Sequence, residues 1–396
     1  MSRVEIRKRY IPSLHFDART RPNAGDRRRI VARSPPRVLV VTPRYLPDTG
    51  GVERHVYETA RRLADRGFDL TVLTTDRTRR RARHEQVDGI TIQRVPAWPG
   101  GRDYYIAPAI YRGVTDGSWD LVHVQSWHTP VAPLAMLAAT KRNIPYVVTP
   151  HGRGYASPLR RPFRPLQRRM LRPLLLRSKQ VIALARFEQD LLIRELKLPP
   201  SLVTVIPNGG DLRPPTDSAP APHTPIIASV GRLERFKGHH RVIEALPHVL
   251  AQRPDVQLVI AGEGPYESKL RRLSRKLGVE DRIRIEFFPM ADRDRLAAMV
   301  SQASLVVLLS EYETHPVAAL EAAALGRQLL VADVAGLREL ADDGLARAVP
   351  LATSPHDLAA AMLDALENPS SPPSFELPSW DDCVDGLLRV YMQHAA

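Results

Sequence analysis

Two carboxylates, Glu313 and Glu321, stand with seven residues between them in Glu313-Thr314-His315-Pro316-Val317-Ala318-Ala319-Leu320-Glu321, close enough along the chain to serve one ligand. The apolar run Leu305 to Leu309 precedes the pair and the helix-forming run Val317 to Leu325 follows, so the pattern reads strand, tight turn, helix start. Pro316 suits the first helical position, where no backbone N–H is needed. One carboxylate then lies on the loop and the other about a turn inside the helix. The amides of Val317 and Ala318 leave the same helix end and could hold an anion between the two carboxylates. Phosphate flanked by two hydroxyl acceptors describes a nucleotide sugar. Taken alone, the glutamates also read as a helix-capping carboxylate and a solvated helix face.

Other candidates fall at the ends of apolar runs. Gly50-Gly51 lies between the strand pattern Arg37 to Val41 and the helical run Val52 to Arg66, which carries Glu53; two glycines let backbone approach a phosphate, and they also make ordinary turns. In Gly231-Arg232-Leu233-Glu234-Arg235-Phe236-Lys237-Gly238, Arg232 offers a planar fork of donors and Lys237 a compact charge, a pairing suited to a departing diphosphate or to a solvated basic loop. His151, in Thr149-Pro150-His151-Gly152, follows the strand Tyr146 to Thr149; a lone histidine there is either structural or a group aimed at a ligand. No Gly-x-Gly-x-x-Gly follows a strand, which argues against a nicotinamide enzyme. Asp292-Arg293-Asp294 imitates a metal-binding Asp-x-Asp, but it precedes a helical run where acids act as caps, so no metal is expected.

Strand and helix patterns alternate around these residues. A chain of 396 residues with 43% hydrophobic content can fill two ordinary domains. Strand patterns recur at Arg37 to Val41, Leu70 to Thr74, Leu121 to Val124, Tyr146 to Thr149, Val181 to Leu184 and Val203 to Ile206. Dense proline between Leu212 and Thr224 marks a linker. A second alternation begins at Ile226, with strands again at Val256 to Ala261, Arg282 to Phe287 and Leu305 to Leu309 and helices between them. Two doubly wound units with parallel sheets are expected, with a ligand in the cleft between the carboxyl ends of their strands.

Composition restricts the setting. No apolar run reaches the length of a membrane span, the first ten residues lack the apolar segment of a secretory signal, and Cys383 is the one cysteine, so a reducing, cytoplasmic setting is expected. The net charge is +14, and residues 1–36 hold ten basic against three acidic residues. That tail reads as a flexible, solvated extension, with anionic lipid or nucleic acid as partners its charge would attract.

Taken together, Gly50-Gly51, Pro150-His151-Gly152, Ile206-Pro207-Asn208-Gly209, Gly231-Arg232-Leu233 with Lys237-Gly238, Ala261-Gly262-Glu263-Gly264-Pro265 and the Glu313–Glu321 pair resemble the retaining family 4 glycosyltransferases of the GT-B fold. The resemblance runs from about Arg37 to the C-terminus. It implies an acceptor-side domain at 37–212, a linker at 213–225, a donor-side domain at 226–375, and a segment at 376–396 whose helix crosses back to the first domain. It implies that Gly50, Gly51, Arg232 and Lys237 hold the donor diphosphate, that His151 lies beside the donor sugar, that Glu313 approaches that sugar and that Glu321 binds the ribose. Gly262, Glu263, His315, Val317 and Ala318 complete the implied donor site.

The implied reaction moves a hexosyl group from a nucleoside-diphosphate sugar, UDP- rather than GDP-linked, to a hydroxyl acceptor with retention by front-face attack, with no cofactor and no metal. Thr314-His315-Pro316 stands where the family usually has a Gly-Phe-Gly-like stretch, which leaves open the donor sugar and whether His315 is a replacement donor group or a replacement packing residue. For the acceptor, or an anionic membrane surface at the inner face, the candidates are Arg153, Arg160, Arg161, Arg164 and Arg168; residues 160–179 hold eight basic residues and no acid, around a rough helical stripe of Leu166, Met170, Leu171, Leu174 and Leu175. A basic outer face on a core helix reads equally well. An epimerase or phosphorylase on the same fold, or a basic lipid- or nucleic-acid-binding protein without chemistry, is the alternative.

Overall fold

The computed structural model describes residues 35–101, 105–152, 164–212, 224–290, 292–369 and 377–394. Short β-branched runs form the strands, and helices cover both faces of the sheets, which is why the strand patterns are continuously apolar rather than alternating. The first sheet contains β1 (Arg37–Val41), β2 (Asp69–Asp76), β3 (His84–Val87), β4 (Ile90–Pro96), β5 (Leu121–Gln125), β6 (Tyr146–Thr149), β7 (Gln180–Ala183) and β8 (Val203–Val205). Its order is β3-β4-β2-β1-β5-β6-β7-β8, and among these pairs β3 with β4 is antiparallel. Its helices are α1 (Gly51–Asp65), α2 (Ala109–Thr115), α3 (Val131–Lys141), α4 (Arg164–Leu175) and α5 (Arg186–Leu196).

The second sheet contains β9 (Ile226–Val230), β10 (Gln257–Ala261), β11 (Ile283–Glu286), β12 (Leu305–Leu308), β13 (Gln328–Ala332) and β14 (Arg347–Val349), ordered β11-β10-β9-β12-β13-β14 and parallel throughout the described pairs. Helices α6 (His239–Gln252), α7 (Glu267–Lys276), α8 (Arg293–Gln302), α9 (Val317–Ala324), α10 (Ala335–Asp342) and α11 (Pro355–Glu367) accompany it, and α12 (Trp380–His394) follows.

Strand order explains where a site can form. In the first sheet β1 has β2 on one side and β5 on the other; in the second β9 lies between β10 and β12. Successive crossovers leave in opposite directions at these points, so the loops after β1 and β9 part and open a crevice at the carboxyl ends of the strands. Gly50 and Gly51 follow β1, Arg232 and Lys237 follow β9, and Glu313 follows β12.

The last helix packs on the first lobe. Trp380, Cys383, Val384, Leu387, Val390 and Tyr391 share one buried cluster with Val38, Val40, Val56, Ala60 and Leu63. Ion pairs from Arg66 to Asp381 (3.1 Å) and Asp385 (2.5 Å) flank this seam. The chain beside it at Gly209 leaves no room for a side chain, since a Cβ there would lie 2.2 Å from the amide nitrogen of Trp380.

Some readings of the sequence need correction. The β3–β4 hairpin adds two strands to the patterns expected from the sequence, and Asp88-Gly89, with φ of 50° and 76°, is the two-residue turn such a hairpin favours. Pro316 caps α9 in an extended conformation instead of occupying its first turn. The leucine stripe of α4 divides, because Leu171, Leu174 and Leu175 are buried while Leu166 and Met170 are 58% and 67% exposed. Residues 1–34 of the basic tail and 213–223 of the linker lie outside the described residues.

Candidate active site

The two lobes enclose a cleft of about 360 Å³. From the first lobe, Gly50, Gly51 and His151 line it; from the second, Arg232, Lys237, Gly262, Glu263, Glu313, His315, Val317, Ala318 and Glu321. Residues spread over most of the chain therefore meet at one place. Arg153, Arg160 and Arg161 lie outside the described residues, and Arg164 begins α4. Arg168 is not among the cleft residues and pairs with Glu195 at 2.6 Å.

Two helix ends face this space. α1 starts after Gly50 and α9 after Pro316, and neither residue offers a side-chain cap. The amides of Gly51, Val52, Val317 and Ala318 therefore keep their donors and the positive end of each helix dipole toward the cleft. Two cations complete the positive wall. Nζ of Lys237 lies 2.5 Å from Oε1 of Glu313, which also accepts a hydrogen bond from the Ser310 hydroxyl at 2.7 Å. Arg232 pairs with Glu234 at 2.9 Å and faces Glu53, whose carboxyl is pushed up by burial, an effect Arg232 partly opposes.

Glu321 is buried and hydrogen-bonded to the guanidinium of Arg293, with Nε of Arg54 4.0 Å away. Neither arginine was singled out in the sequence. Arg293 lay in the middle of Asp292-Arg293-Asp294, a stretch read only for its acids; Asp292 instead accepts from Arg295 at 3.1 Å. For Arg54 the sequence shows only charged residues interleaved with Val56 and Ala60 on one helix; the structure buries Glu53, Arg54, His55 and Glu58 there, and buried charges need partners. Among the described residues no group of three or more His, Cys, Asp or Glu side chains could hold a metal ion.

His151 is fixed by a chain of buried polar groups. Its Nε2 donates to Oε1 of Gln125 at 2.6 Å, and its ring meets that of His55 edge-on at 4.9 Å. His55 Nδ1 lies 2.8 Å from Oδ1 of Asn208; the Asn208 backbone N–H donates to Nδ1 of His315 at 3.1 Å, and its side-chain amide to the His315 carbonyl at 2.9 Å. His315 thus ties the lobes together, and with Nδ1 accepting, its neutral ring carries the proton on Nε2. Behind His151, His123 lies 2.5 Å from the Tyr391 hydroxyl of α12 and 2.8 Å from that of Thr149. Burial pushes His55 down to about 4 and His123 to about 3, and it lowers His151 and His315 as well.

Residues 49–213 match the model of glycosyltransferase family 4, and residues 216–376 that of the glycosyl transferases group 1. A glycogen synthase from Mycobacterium tuberculosis is 30% identical over 371 residues, covering 85% of this chain and 87% of that protein. The chain belongs to the group 1 glycosyltransferases. Its fold is GT-B, as in the sucrose-phosphate synthase of Thermosynechococcus elongatus, with TM-score 0.72, 21% identity, and 90% and 98% of the two chains covered. HepE of Anabaena, solved in complex with UDP-glucose, gives TM-score 0.66 at 20% identity over 90% of this chain and 95% of its own. This glycosyltransferase carries no helix, among its described residues, long and apolar enough to cross a membrane.

Proposed function

We propose that this glycosyltransferase moves a hexosyl group from a UDP-sugar to a hydroxyl acceptor, with retention of anomeric configuration and without a metal. One observation carries the reading: two uncapped helix ends, Lys237 and Arg232 surround the same cleft as the carboxylates Glu313 and Glu321. The positive groups suit a diphosphate leaving group, and preorganised donors stabilise charge that develops there in the transition state. Glu321, held between Arg293 and Arg54, suits the ribose hydroxyls, and Glu313 suits a hydroxyl of the sugar. The UDP-glucose complex of HepE supports a uridine donor by analogy of fold.

In the step itself the bond from the anomeric carbon to the phosphate oxygen breaks and a bond to the acceptor oxygen forms on the same face. The acceptor proton passes to the departing phosphate oxygen. No protein nucleophile is required; Glu313 orients the sugar, and Lys237, released from Glu313 toward the phosphate, neutralises the leaving group. Arginine and lysine thereby take the part a divalent ion plays in other transferases. Closing of the cleft over a bound donor would keep water from the activated sugar.

The test is incubation with a panel of UDP- and GDP-sugars, following release of nucleoside diphosphate with and without hydroxyl acceptors. Acceptor-dependent release of UDP with an α-linked product from an α-linked donor supports the reading. Release of GDP alone, or inversion, overturns the corresponding part of it.

A further inference from the structure

Helix α5 of the first lobe starts at Arg186 after Ala185, a residue that cannot cap. Its cap comes from the second lobe. Glu339 of α10 accepts the backbone N–H of Arg186 through Oε1 at 3.1 Å and that of Phe187 through Oε2 at 3.0 Å. The Arg186 guanidinium adds ion pairs to Glu339 (3.1 Å) and Asp343 (2.5 Å), and the Phe187 ring meets Tyr312 edge-on at 6.2 Å. Two of the orphan amides at the α5 terminus are therefore satisfied only while the lobes are together.

The next residue faces the opposite way. Glu188 is 1% exposed, and its carboxylate accepts the backbone N–H of Leu184 at 2.7 Å and that of Gly152. Trp127 Nε1 donates to the Gly152 carbonyl at 2.7 Å, so Gly152 is held through both its backbone N–H and its carbonyl. His151 has φ of 57°, a left-handed conformation costly for a side-chain-bearing residue unless its surroundings impose it. Gly152 also needs to be glycine, since a Cβ there would lie 1.9 Å from the Thr314 hydroxyl across the cleft.

We infer that Glu339 is a positioning residue of the active site: by capping α5 from the second lobe it steadies Glu188, and Glu188 holds the His151–Gly152 turn beside the donor sugar. Lobe closure and the placement of His151 are then one event. This rests on the donor-site reading of the cleft given above, but its structural half needs no donor.

Amide hydrogen exchange on the full chain tests it. In ligand-free protein, Glu339→Ala should speed exchange about fivefold in residues 183–189, the loss expected for one helix cap, and also speed it in residues 146–152, which Glu339 does not touch. Asp343→Asn, which removes an ion pair of Arg186 but leaves the amide cap, should leave residues 146–152 at the wild-type rate. Glu188→Gln should speed exchange in residues 146–152, and because that variant is buried, Glu339→Ala remains the deciding one. Adding UDP to wild type should slow exchange in both segments together. In turnover, Glu339→Ala should lower kcat about tenfold and move the donor KM less than about threefold, since the second-lobe donor contacts are left in place. Faster exchange confined to residues 183–189 in Glu339→Ala overturns the inference. Failure of UDP to change either segment counts against the donor reading instead, because the ligand-free comparison stands without it.

Discussion

The ammonium of Lys237 and the carboxylate of Glu313 lie 2.5 Å apart although 76 positions separate them in the chain. The pair joins the loops after β9 and β12, the two neighbours between which the second sheet opens its crevice. In the structure each neutralises the other; in the proposed reaction Lys237 turns to phosphate and Glu313 to a sugar hydroxyl. Lys237→Ala should lower kcat/KM by about 10²- to 10³-fold, as for loss of one preorganised donor, and Arg232→Ala similarly. Steady-state UDP release measures this. A double variant with wild-type turnover would remove both from the reaction.

Because Lys237 and Glu313 act as a unit, their effects should not add. The double variant Lys237→Ala with Glu313→Gln is expected to be impaired well short of the product of the two single losses. A double-mutant cycle on kcat/KM decides it, and full additivity would mean that the ion pair has no functional meaning.

Glu321 should serve binding more than turnover. Glu321→Gln keeps a hydrogen-bond acceptor for Arg293 but removes the charge, and is expected to raise the UDP dissociation constant about tenfold with kcat within about threefold of wild type. Titration calorimetry with UDP gives the first quantity. A large fall in kcat at unchanged affinity would move Glu321 from the ribose to the reacting centre.

Gly51 separates folding from binding. A Cβ at Gly51 meets nothing within 4 Å, so Gly51→Ala should leave the thermal midpoint nearly unchanged. The same methyl stands at the uncapped end of α1, where the proposed function brings backbone against the donor phosphate, and donor affinity should fall by at least about tenfold. Loss of stability with intact affinity would be the contrary result.

Acid should destabilise the first lobe through its buried histidines. His55 and His123, each 1% exposed, titrate at about 4 and about 3 instead of 6.5. Below pH 6.5 the unfolded chain takes up protons that the folded chain refuses, so stability falls with pH, on the order of 1 kcal/mol per histidine per pH unit, until the folded values are reached. Glu188 works in the opposite sense: burial raises its carboxyl to about 7, the folded chain takes its proton first, and stability is gained as pH falls from about 7 toward 4.5. The comparison must therefore be differential. Between pH 7.5 and 5.5, His123→Gln should lose less stability in urea than wild type; identical losses would mean that His123 is not held neutral.

The alternation of strand and helix, the glycines after β1 and β9 and the Glu313–Glu321 interval were legible because each depends on a few neighbouring residues: hydrophobic period, turn chemistry, a helix start after a strand. The sequence also showed which charges fall at strand ends. What it could not show is which of them pair. Arg54 and Arg293 converge on Glu321 from different lobes, Asn208 joins His55 to His315, and Glu339 caps a helix that begins 153 positions earlier. Such contacts depend on how two separately wound sheets dock and where α12 returns, and no local period encodes that. Local sequence supplied most of the groups at the cleft; the docking of the lobes chose their partners, because burial between two lobes leaves a charge no solvent to fall back on.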